Sequence, residues 1–329
     1  MGNKGAKGRS LIRSDATQKI MAFGSLIVLI IVFSLSSPNF FKFSNIVSIV
    51  LSTAVNGVLA VGVTFVIITG GIDLSIGTTM TFASVIAGVL ISFWKLPVIL
   101  GVLGGLATGV LVGLISGTVI SKMKLPPFIA TLGMMMITKG LSLVISGTKP
   151  IYFNDAKVYS KIAMGSVLGK IIPGFDIPNA VVIFLLMSVV ASLILTKTSL
   201  GRYNFALGSN EEATRLSGIN VDKWKIAIYS LSGLFCGIAG ILMSSRLNSA
   251  QPALGQGYEL EAIAAVVIGG TSLSGGEGTI LGTVIGAFIM SVLTNGLRIL
   301  SVKQEWQTVV IGIVVIFAVY ADSLRRRKK

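Results

Sequence analysis

Five ionisable side chains sit inside or at the edge of long apolar runs: Asp73, Lys139, Arg246, Glu259 and Glu261. A charge in hydrocarbon is expensive, so such groups ordinarily face a cavity, a partner or a transport path. Asp73 belongs to "ITGGIDLSIG" (68–77), whose outline G-G-x-x-L-S-x-G returns in "IGGTSLSGGEG" (268–278). Gly70 and Gly71 in the first stretch, and Gly269 and Gly270 in the second, free the backbone to leave a helix. At membrane depth a freed backbone is tolerable only where protein or a water-filled cavity satisfies it. Helix breaks in corresponding parts of a chain therefore point to a transport path. Asn56, Asp73, Ser75 and Glu259 lie in or beside the interrupted runs, which gives them two candidate roles. They line the path of a polar solute, or they hydrogen-bond the backbone that the glycines release. For Asp73, close after Gly-Gly and ahead of "LSIGTTMTFASV", the expectation is a helix cap.

The elements that must position these residues are membrane helices. Of 329 residues, 53% are hydrophobic and only 12% charged, with a mean hydropathy of +0.89; a soluble domain is nearer about a quarter charged. The fold class is all-α and polytopic. The formal charge of +15 lies in clusters between apolar runs, without the single basic face that nucleic acid requires. The chain has no histidine, which removes a Ser-His-Asp triad and histidine metal sites; neither a catalytic nor a metal constellation is expected. The one cysteine, Cys236, sits in an apolar run and reads as a small buried hydrophobe. No stretch has the phosphate-loop pattern ending in Gly-Lys-Ser/Thr; "GSVLGK" (165–170) has the wrong spacing.

Spanning the hydrocarbon takes roughly 20 apolar residues. Apolar runs occur at 20–36, 45–69, 76–93, 97–120, 128–146, 180–196, 226–245, 260–270, 280–297 and 306–321. This gives about ten spans, the eighth too short for a simple crossing. Most of the 27 lysines and arginines fall on one side if both termini are cytoplasmic. A single transmembrane domain (20–322) is then flanked by a basic N-terminus (1–19) and a basic tail (323–329). The tail "LRRRKK" suits acidic lipid headgroups. Two connections are long. The external one (147–178) reads equally as a lid or as a surface meeting an aqueous partner. The internal one (197–225) contains "SNEEATRLSG": a short helix with Asn210 or Ser209 as cap, Glu211 and Glu212 in its first turn and Gly218 as its stop. "GVLGGLATG" (101–109) reads as close helix packing.

These features describe a transporter or channel core without its own energy source. Four strings, "SPNFFKFSNIVSIV", "ITGGIDLSIG", "GRYNFALGSNEEATRLSGINV" and "GYELEAIAAVVIGGTSLSGGEGTILGTVIGA", resemble the membrane permease of ribose-type carbohydrate ABC importers. The resemblance covers the chain from about 20 to 322. It implies a multi-pass protein of the bacterial inner membrane, paired with a second permease copy. It also implies an extracytoplasmic sugar-binding protein and a separate ATPase subunit with two nucleotide-binding domains. Asn210, Glu211, Glu212, Ala213 and Gly218 would then form the segment that presses into the ATPase. Three positions depart from the pattern: Glu277 stands where a basic residue is common, Glu261 where Asp is common, and Lys139 where Arg is familiar. A self-sufficient secondary transporter or a channel for a small polar solute is the alternative.

Overall fold

Proline and glycine decide where the apolar runs become separate helices. The computed structural model describes residue 20, residues 22–171 and residues 176–327. Helix α1 is Ala22–Ser36. It is followed by α2 (Phe43–Ile68), α3 (Ile76–Gly88, continued by a π turn, Val89–Phe93), α4 (Val98–Lys122) and α5 (Pro127–Ser146). Next come β1 (Ile151–Tyr152), the short α6 (Ser160–Met164) and α7 (Val167–Ile171), then α8 (Asn179–Lys197), α9 (Ser199–Ser209) and α10 (Glu211–Leu216). The chain ends with α11 (Val221–Leu247), β2 (Ser249–Ala250), α12 (Tyr258–Ile268), α13 (Ile280–Ile299) and α14 (Gln304–Arg327). Pro97, Pro126 and Pro178 stand at the N-caps of α4, α5 and α8, where the missing N–H and fixed φ do no harm. Gly147 and Asn248 close α5 and α11 in the left-handed region.

Each of the ten apolar runs forms a helix. Eight of the helices in the described residues are long and apolar enough to cross a membrane; α1 and the 11-residue α12 are shorter. The fold is thus all-α and polytopic. The basic segment 1–19 and the last two residues of the tail lie outside the described residues.

Helix α2 is the hub, buried almost throughout its second half. Small residues let its neighbours approach, which is how helices pack without a hydrophobic driving force. Gly57 and Gly62 leave room for the rings of Phe184 on α8 and Phe235 on α11. On α4, Gly105, Gly109, Gly113 and Gly117 recur every four residues along one face; Gly109 lies against the Gly233 backbone of α11 and Gly113 against that of Tyr229.

The helices leave two polar ends. At one, β1 pairs antiparallel with β2, Ile151 opposite Ala250. There Phe153 stacks on Tyr159 at 4.0 Å between ring centres. The buried Tyr159 hydroxyl meets Ser244 Oγ at 2.7 Å, and burial pushes the phenol above its ordinary range. Segment 151–164 is therefore fixed onto α11. Of the rest of the 147–178 connection, residues 172–175 lie outside the described residues. The opposite end gathers the 69–75 and 269–279 connections, the α4–α5 turn and the 197–225 segment.

Candidate functional site

The two glycine frames meet. The Gly276 N–H donates to the carbonyl of Ile68, the last residue of α2, at 2.9 Å. Gly208 of α9 packs against both partners, where even a methyl group would collide with backbone. Both helices that end at the frames run toward this same end. They are joined along their length by Asn56 Nδ2 of α2, which donates to Glu261 Oε2 of α12 at 2.6 Å. The buried hydroxyls of Thr64 and Thr283 add a link from α2 to α13 at 2.8 Å.

The backbone corrects the register of the sequence frame by one residue. Gly70 (φ +78) corresponds to Gly270 (φ +93), and not to Gly269, whose φ is −66. In the first turn the amides of Gly70 and Gly71 donate to Ile67 and Val66, at 2.9 and 3.2 Å. In the second those of Gly270 and Thr271 donate to Val267 and Val266, at 2.9 and 3.1 Å. This is one helix-terminating motif used twice. It returns otherwise unpaired carbonyls to the backbone through a residue with positive φ, which glycine adopts without penalty.

Asp73 does not cap α3 directly. Its Oδ1 accepts from Ser75 N–H at 2.9 Å and Ser75 Oγ at 2.6 Å, and α3 begins only at Ile76. Helix formation is delayed because the intervening chain is held elsewhere: Leu74 N–H donates to the Thr131 hydroxyl of α5 at 3.2 Å. The carboxylate fixes the turn that precedes the helix. Asn56, Asp73, Ser75 and Glu259 are all buried within the one subunit. Glu259 accepts from the Gly257 N–H, at 3.0 and 3.1 Å to its two oxygens, where φ of +99 turns the chain into α12.

Within the 197–225 segment, α10 is the short helix expected from "SNEEATRLSG", while α9 before it and the early start of α11 at Val221 are not expected from the sequence. The Asn210 side chain accepts from Ala213 N–H at 2.8 Å, capping α10, and Gly218 (φ +82) stops it. Glu211 is held by Lys225 at 2.6 Å and Arg215 at 3.4 Å. Asp222, at the start of α11, gathers Lys124, Lys122 and Arg215 at 3.3, 3.6 and 3.8 Å. The short helix is thus tied to the ends of α4 and α11. Glu212, Ala213 and Leu216 remain exposed, Leu216 to 83%. The exposed leucine and acid thus stand out from a short helix braced by ion pairs.

Residues 45–319 match the family profile described as branched-chain amino acid transport system / permease component. The chain belongs to this permease family. Relatives agree over nearly full length. The permease is 42% identical over 305 residues to the ribose import permease protein RbsC of Escherichia coli K12, covering 92% of each chain. It is 43% identical over 307 residues to RbsC of Bacillus subtilis, covering 93% of this chain and 92% of that one. The fructose import permease protein FrcC of Rhizobium meliloti is 38% identical over 293 residues, covering 88% and 80%. The permease is accordingly a multi-pass protein of the bacterial inner membrane.

A further polar contact involves a residue that the sequence reading did not single out. Lys139, half-buried on α5, donates to Gln256 Oε1 at 2.8 Å. Gln256 stands in no apolar run and no motif; only the path of 251–257 beside α3 gives it importance.

Proposed function

We propose that this permease forms the membrane path of an ABC importer for ribose or a related monosaccharide. The observation that carries the reading is identity of 42–43% to ribose import permeases over more than nine-tenths of the chain. The family description speaks of branched-chain amino acids, but these near-full-length relatives, like FrcC, carry sugar names.

The sugar arrives from an extracytoplasmic binding protein and passes between two copies of the permease. A separate ATPase subunit with two nucleotide-binding domains supplies the energy, and the permease itself hydrolyses nothing. Both termini face the cytoplasm, and the basic segments at either end meet acidic lipid headgroups. Support for this orientation comes from Lys122, Lys124, Arg202, Arg215, Lys223 and Lys225, which belong to the end that carries α10. The ATPase takes the knob formed by Asn210, Glu211, Glu212, Ala213 and Gly218 into a cleft. Closure of the ATPase on ATP moves α10; its ion pairs pass the motion to α4 and α11, and through Gly208 to the junction of the two glycine turns. The spans tilt as units and access alternates. Asp73, Ser75 and Glu259 serve this movement by holding the broken backbone that frames the path, and Asn56 by joining α2 to α12.

The test is reconstitution in proteoliposomes with the cognate ATPase and binding protein. ATP-dependent uptake of labelled ribose is expected, and none by the permease alone under an ion gradient. Uptake by the permease alone would establish a secondary transporter or channel instead.

A further inference from the structure

The groups that the sequence nominates for a path are interior and bonded within the one subunit, which leaves open what the sugar touches. Lys139 differs from them. It lies twelve residues into α5, about 18 Å along the helix from Pro127. Its side chain is half-buried, and Met136, one turn earlier on the same side of the helix, is 57% exposed. A lysine there does not rest against acyl chains without partner or water.

Its partner, Gln256, is exposed and comes from a stretch that is neither helix nor strand. That stretch leaves β2 and runs inward beside α3 until Gly255 lies against the Gly77 backbone, before Gly257 turns it into α12. Non-helical backbone at this depth is tolerable where protein covers it or a water-filled cavity borders it, and the exposure of Gln256 favours the cavity. Lys139, Gln256, Thr78, Thr81 and Gly255 border one recess in this surface. The Thr81 hydroxyl is buried and has no hydrogen-bond partner among the described residues. The recess by itself is too shallow to enclose a sugar.

We propose that Lys139 and Gln256 form a wall of the sugar path and hydrogen-bond the hydroxyls of the passing solute. This rests on the sugar-import reading above. An ammonium supplies donors, the amide both donor and acceptor, and no carboxylate borders the recess. Such a set suits a neutral polyol, and its few contacts allow release as readily as capture. The facing wall is the same surface of the second copy.

Cysteine accessibility tests this in the assembled importer. Cys236→Ala removes the one native thiol; Lys139→Cys, Gln256→Cys and, as a lipid-facing control, Leu186→Cys (60% exposed on α8) are added singly. The probe is a charged, water-soluble methanethiosulfonate, compared with a lipid-soluble maleimide. The charged reagent is expected to modify positions 139 and 256 but not 186, more slowly during ribose turnover, and to block uptake. Reaction at 139 and 256 with the maleimide alone, or charged modification that leaves ribose uptake unchanged, would overturn the wall. Alongside, Lys139→Met should lower ribose uptake about tenfold while binding-protein-stimulated ATPase activity persists, and Lys139→Arg should restore it. Failure of the Cys236→Ala importer to take up ribose at all would defeat the sugar reading instead, since charged labelling reports water at the wall independently of which solute is carried.

Discussion

The amide of Gly276 and the carbonyl of Ile68 share a hydrogen bond of 2.9 Å, and through it the two glycine turns become one junction. Gly276 has φ of +76 and Gly275 +82, so the segment reaches Ile68 only in a conformation that side chains resist. Gly208 closes the junction from the α9 side.

Gly208→Ala should therefore be more damaging than Gly218→Ala. Position 208 has ordinary helical φ but backbone on both sides, whereas 218 has φ of +82 and open space around it. Alanine at 218 costs about 1 kcal/mol of local strain, while at 208 it forces the α2 end and the 276 loop apart. Thermal unfolding in detergent with membrane abundance measures this. Equal, small shifts for both would show that the junction tolerates separation.

Glu212→Lys should leave insertion and abundance intact while abolishing both ATP-driven uptake and co-purification of the ATPase. Leu216→Asp should act alike, because its exposed apolar side chain belongs to the same knob. Asn210→Ala removes the cap and should weaken α10 by about 1 kcal/mol, giving partial uncoupling. Survival of uptake and co-purification in Glu212→Lys would move the docking surface elsewhere.

At Asp73 the decisive property is an acceptor, not a charge. Asp73→Asn keeps an oxygen for the Ser75 amide and hydroxyl and should retain most uptake. Asp73→Ala strands both donors at a penalty of about 1–3 kcal/mol and should lower the melting temperature and membrane level. Loss of transport in Asp73→Asn at normal abundance and stability would place the carboxylate in the path.

The exposed pair Lys95–Asp155, at 2.6 Å, links the α3–α4 turn to the 147–178 connection. The hydrogen bond from Lys95, reinforced by its charge, holds the Asp155 carboxyl below its ordinary value of 3.8. A lowered folded-state value means the contribution is complete above 3.8 and fades as acid protonates the folded carboxylate. Asp155→Asn should accordingly leave stability and uptake unchanged between pH 5 and pH 8 relative to one another, with any difference from the parent small and salt-sensitive. A pH-dependent gap opening within that range would identify another titrating group at this end.

Much was legible in the residues themselves. Apolar runs must become helices in a membrane because only internal hydrogen bonding satisfies their backbones, so each of the ten runs folded as one. Asn210, two acids and Gly218 determined α10 because capping is a local exchange among neighbouring residues. The glycine pairs marked both turns for the same local reason. Their register was not legible, since Gly-Gly in sequence does not say which glycine takes positive φ; the helix ends at Ile68 and Ile268 choose Gly70 and Gly270. Asp73 reads as a cap from its neighbours alone; that it is not one depends on Thr131 of α5, 58 positions away, which holds Leu74. The meeting of Gly276 with Ile68, of Asn56 with Glu261 and of Lys139 with Gln256 belongs to tertiary structure alone. Each joins residues far apart in the chain, and such pairing depends on how helices pack and where the backbone between them turns.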